Sequence, residues 1–137
     1  MRSRFLHTAL VALGALIAIF AAQVNAHHSF AAEFDASKPI TLKGTVTQID
    51  WANPHVWFYV NVKDEEGKAA RWACEMGAPH QLQQRGWLRD TMKVGDVVTV
   101  VGSLARDGTK RANARLVTTA DGKTLGAASS GDPTTRQ

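Results

Sequence analysis

A single cysteine, Cys74, stands in 137 residues, so no disulfide can form within the chain. Paired CxxC motifs, metalloprotease helices and glycine-rich phosphate loops are likewise missing, which removes the short motifs that usually announce a zinc, protease or nucleotide site. Glu33, Asp35, Glu75 and Asp90 are the carboxylates nearest to any candidate site, and their spacing makes no pair for acid–base work. Ser29 beside His28 is adjacency in sequence, whereas a nucleophilic triad is defined by geometry in the fold. Hydrolase chemistry therefore has no specific support. The net charge is a modest +4, which argues against a nucleic-acid partner.

No apolar run reaches the roughly 20 residues that a membrane-spanning helix needs. The shorter run from Ala9 to Ala22 follows Arg2 and Arg4 and precedes Val24-Asn25-Ala26, the order of a secretory signal peptide. Residues 1–26 are expected to be removed, with the cut between Ala26 and His27. No cysteine follows that cut directly, so a lipid anchor is not expected, and the two arginines do not form a twin-arginine signal. The product should be periplasmic or secreted, with no stable membrane insertion. It would hold 111 residues, enough for one modest core, and a charge of +2 once Arg2 and Arg4 are gone.

From Ile40 onward, short β-branched runs alternate with turn residues. Ile40 to Trp51 is the first expected strand, with Gly44 at a bend, and Asn53-Pro54 turns the chain into the second. His55 to Val62 sets Val56, Phe58, Val60 and Val62 against His55, Trp57, Tyr59 and Asn61, so the aliphatic set should face the core. The polar loop Asp64-Glu65-Glu66-Gly67-Lys68 leads to a third strand, Ala69 to Met76. Pro79 then opens a short helix that ends near Gly86. Val97 to Val101 and Arg111 to Thr118 complete the set. Three strands, a helix and two strands predict an all-β fold, a small five-stranded Greek-key barrel of the oligonucleotide/oligosaccharide-binding (OB) type over residues 40–125. Residues 27–39 form an N-terminal segment, and the small, polar tail 126–137 is expected to be disordered.

The chemistry concentrates in the histidines. A chain beginning at His27 presents an α-amine and an imidazole on one residue, a pair suited to copper, with His28 adjacent. Two geometries compete: His27 joined by a distant third ligand, His55 or His80, as in a histidine brace, or local chelation by the amine, the next amide nitrogen and His28. Cys74 and Met76 are soft donors that would favour Cu(I), but their alternation with Trp72 reads better as core packing. Trp57 and Tyr59, on the face of His55, are the candidates for binding a planar ligand.

His27-His28-Ser29-Phe30 with Glu33-Phe34-Asp35, Trp51-x-Asn53-Pro54-His55, Cys74-Glu75 and Arg85-Gly86-Trp87 resembles a family of small exported bacterial proteins of unknown function, from His27 to about Leu125. That resemblance implies a single domain and the start at His27, and it implies no substrate. Three readings follow in order: a periplasmic copper-binding protein, a metal-free module binding a small ligand or a periplasmic protein through its aromatic face, and a mono-copper redox enzyme.

Overall fold

Alternation of buried and exposed side chains builds the barrel strand by strand in the computed structural model, which describes residues 30–129, 131 and 132. A short helix, α1, whose described residues are 30–33, leads into β1 (Phe34–Asp50). There follow β2 (Trp57–Lys63), β3 (Ala69–Glu75), helix α2 (Pro79–Gln84), β4 (Val97–Ala105), β5 (Arg111–Thr118) and β6 (Thr124–Gly126). The sheet order is β3-β2-β1-β4-β5-β6, and a parallel pairing of β3 with β5 closes the first five strands into a ring. This is the OB-like barrel expected, with α2 between β3 and β4 as anticipated.

The core forms where the alternation places it. Val56, Phe58, Val60, Val98 and Val100 are each at most 1% exposed, and Leu82 of α2 plugs the same cluster from one end. Cys74 and Met76 are fully buried in that cluster, and burial pushes the Cys74 thiol up to about 12. A thiol held in its neutral form inside a hydrocarbon core is packing material and not a copper donor. Gly44, expected at a bend, lies where β1 pairs with β2 and β4 at once, opposite Val62 and Val98. A Cβ there would stand 2.5 Å from the Asn61 carbonyl oxygen, so only glycine permits the close approach.

Two boundaries differ from expectation. β1 starts at Phe34, six residues before Ile40, because Phe34 and Asp35 pair with Ala105 and Leu104 before an irregularity that runs to Pro39. The tail expected to be disordered from Gly126 onward is instead part of the domain at its described residues, 126–129, 131 and 132. Thr124–Gly126 is a sixth strand on β5, and Ala127, Ala128, Ser129 and Asp132 are buried. Small side chains let this segment lie close under α2. The amide of Gly77 donates to the Ala127 carbonyl (2.8 Å), Arg85 Nη1 to the Ala128 carbonyl (2.6 Å) and Trp87 Nε1 to the Gly126 carbonyl (2.8 Å). The buried Asn113 amide donates to the Ser129 hydroxyl at 3.0 Å. Composition suggested too little apolar area to order the segment, whereas hydrogen bonds to otherwise buried polar groups hold it.

Candidate functional site

The β1–β2 connection turns at Asn53-Pro54, a cis peptide, and delivers His55 to one end of the barrel. Val56 is drawn inward by two backbone bonds, its amide to the Gly77 carbonyl (3.1 Å) and its carbonyl from the Met76 amide (2.8 Å). The neighbouring His55 must then face outward, on the same side as Trp57 two residues on. Across the β2–β3 hairpin Trp57 pairs with Glu75, which points outward because Cys74 points in. His55, Trp57 and Glu75 thus share one patch of outer surface.

That patch is roofed by the N-terminal segment. Phe30 and Phe34 pack with ring centroids 5.8 Å apart, over Ala105 and the edge of Trp57. Together with Glu33 and Pro54 they enclose a cleft of about 300 Å³ over His55 and Glu75. The β1–β2 and β4–β5 loops flank this end of the barrel, the position at which OB barrels generally take ligands. A wider groove on the outer face of β1 and β2, lined by Lys43, Thr45, Thr47, Asn61 and Lys63 among others, contains neither histidine nor carboxylate.

Within the cleft, His55 Nδ1 lies 2.5 Å from Glu75 Oε1, with the histidine partly exposed and the glutamate side chain 7% exposed. This contact fixes the imidazole: Nδ1 carries the hydrogen toward the carboxylate, and in the neutral ring Nε2 keeps its lone pair. The hydrogen bond to Glu75 raises the His55 pKa above its ordinary 6.5, burial opposes it, and the charges of Glu75 and Glu33 add to the rise. A raised folded-state value means that the pair stabilises the fold fully below the unfolded pKa near 6.5 and loses that contribution as pH climbs through the folded value. We predict that an NMR titration of the His55 ring will show a midpoint above 6.5, and that Glu75→Gln will bring it down; equal midpoints in both proteins would contradict the pairing.

The remaining candidates are placed as follows. His80 is exposed at the second position of α2 and does not line the cleft, so of the two distant histidines only His55 reaches it. Tyr59 shares the outer face of β2, but its ring lies under the Arg71 guanidinium, 4.4 Å from the centroid, and outside the cleft. His27, His28 and the expected leader lie outside the described residues. Among the described residues no three His, Cys, Asp or Glu side chains group as a metal site.

The sequence marked Glu75 as a carboxylate near a candidate site but gave it no partner, because His55 lies twenty positions away. The hairpin loop did hold the signal, since pairing Lys63 with Ala69 across it sets Trp57 opposite Glu75.

A family model of unknown function, DUF6152, matches residues 15–114, nearly three-quarters of the chain. The chain belongs to the DUF6152 family. The matched stretch runs from the expected leader into β5, so the His55–Glu75 pair, the aromatic roof and α2 all lie within the DUF6152 region. No curated protein matches the chain.

Proposed function

We propose that this DUF6152 protein is an exported binding protein that captures copper between its processed N-terminus and His55. The observation that carries the reading is the Glu75-oriented imidazole of His55, in a cleft whose roof includes Phe30. Metal-binding histidines commonly donate their second ring N–H to a carboxylate, which fixes the tautomer and raises the basicity of the ligating nitrogen. Phe30 is three residues from His27, a span of at most about 10 Å when extended, so the amine and imidazole of His27 are within tether range of His55 Nε2. His28 serves the local mode of chelation. Glu33 and Glu75 add negative charge that favours a cation in the cleft.

The test is a copper(II) titration of protein that begins at His27, confirmed by intact mass, with no tag ahead of it. Two variants accompany it, His55→Ala and one with a single residue added before His27, together with a short peptide beginning His-His-Ser. The whole protein should bind more tightly than the peptide and than either variant, and affinity should fall as pH drops because the donors must lose their protons. Equal affinity across all four would overturn the reading.

A second reading draws on the same cleft without metal. Phe30, Phe34 and Trp57 beside two carboxylates are suited to a small organic cation. Binding of a quaternary ammonium probe that Glu33→Gln weakens, with no copper effect of His55→Ala, would favour it.

A further inference from the structure

Lys43 and Lys63 stand side by side on the outer face of the barrel, with no carboxylate to neutralise either. Gly44 pairs with Val62 across β1 and β2, so Lys43, one residue before, falls opposite Lys63, one residue after. Both side chains are exposed, and both line the groove on this face, which has a volume of about 580 Å³. Like charges set directly opposite one another on a sheet are destabilising. Other cations of the barrel are matched: Lys38 and Arg106 lie 3.9 and 3.6 Å from Asp35, and Arg111 lies 2.8 Å from Asp107. Arg106 also donates from Nε to the Ala31 carbonyl. Among the described residues no ion pair joins Lys43 or Lys63 to a carboxylate. Asp64 and Asp96, which follow Lys63 and precede Val97, accept instead from backbone amides, those of Glu66 and Lys68 and that of Lys93.

The rest of the groove carries hydrogen-bonding groups. Thr45 lies between Asn61 of β2 and Val97 of β4, and Lys43 lies between Lys63 and Thr99, so two polar rows cross three strands. Thr47 donates its hydroxyl to the Tyr59 carbonyl (3.2 Å), which leaves the lone pairs of its oxygen to accept. Apolar contact is limited to Ala69 and to Val97, which is 49% exposed. No aromatic ring lines the groove, so nothing there stacks a nucleic-acid base. We propose that this groove binds a phosphate monoester carried on a small hydroxylated molecule, a sugar phosphate in class. Charge selects the ligand. A carboxylate, a sulfate ester or a phosphodiester brings one negative charge, whereas a phosphate monoester brings close to two, one for each ammonium. Thr45, Thr47 and Asn61 then meet the sugar hydroxyls, and two small apolar side chains are too little to hold an acyl chain. None of the residues around His55 and Glu75 lines this groove, so the inference stands apart from the copper reading.

The experiment titrates the whole protein with glucose 6-phosphate, glucose, inorganic phosphate and vesicles containing phosphatidic acid, followed by calorimetry and by NMR amide shifts. Glucose 6-phosphate should bind and glucose should not. Inorganic phosphate, which lacks the hydroxylated body, should bind about tenfold more weakly. The amide shifts should centre on Thr45, Asn61 and Val97. Affinity should fall with added salt and should rise as pH climbs through about 6, where the ester loses its second proton. No histidine or carboxylate lines the groove to titrate beside it. Lys43→Gln and Lys63→Gln should each weaken binding about tenfold. The same ligand-free variants should keep or raise their thermal midpoint at low salt, because the repulsion between the two ammonium groups is relieved. Lys123→Gln, exposed before β6, is the control and should bind as wild type does. Equal affinity for inorganic phosphate and glucose 6-phosphate, binding to the vesicles alone, or wild-type affinity in both lysine variants would overturn the proposal.

Discussion

Phe58→Ala should lower the stability of the domain by about 3–5 kcal/mol, the usual cost of emptying a closed core of a phenyl ring. Phe58 is fully buried between Ile49 of β1 and Cys74 of β3, its cross-strand neighbours. The rest of the barrel wall is hydrogen-bonded into a ring and cannot readily collapse onto the void, so the cost should lie in the upper part of the range. Domains of this size are stable by only about 5–15 kcal/mol, so the variant would lose about a fifth of that or more. Urea unfolding should show a lower midpoint at an unchanged slope. A loss below about 1 kcal/mol would mean that Phe58 faces outward and that the two faces of β2 are exchanged.

The second large effect is on metal binding. Glu75→Ala removes the acceptor that orients His55 and should weaken copper binding by roughly 10–100-fold, the usual consequence of deleting an outer partner of a ligating histidine. That corresponds to about 1.4–2.7 kcal/mol. Glu75→Gln keeps a carbonyl oxygen in reach of Nδ1 and should lose less. Competition titrations of the three proteins at one pH measure the order. Wild-type affinity in Glu75→Ala would show that His55 does not bind metal through Nε2.

How much of this was legible in the sequence follows from the range of the interactions. Val56, Phe58 and Val60 could be assigned to the core because strand alternation is local, and α2 was visible because Pro79 and Gly86 bracket it. The start of β1 was hidden by the irregular stretch between Asp35 and Pro39, which interrupts the alternation. β6 and the segment behind it were hidden for a different reason: Gly126, Ala127, Ala128 and Ser129 have side chains too small to show a period, and their placement depends on Gly77, Arg85 and Asn113 far earlier in the chain. At the site, His55 and Trp57 were legible as residues sharing a face. Glu75 required the hairpin register, and the grip of Arg106 on residues 31–35 spans more than seventy positions, beyond any pattern a window along the sequence can contain.

The pairing of β1 with β4 also bears on when the molecule takes shape. β2 pairs with β1 only from Gly44 onward, whereas Phe34 meets Ala105 and Lys43 meets Thr99, so the first part of the longest strand finds a neighbour only after most of the chain is available. Barrels dominated by such distant pairings fold on the order of milliseconds to seconds, far more slowly than helical bundles of the same size. Closure waits longer still, for β5 to reach β3. The architecture keeps the barrel open until the last third of the chain is available to close it.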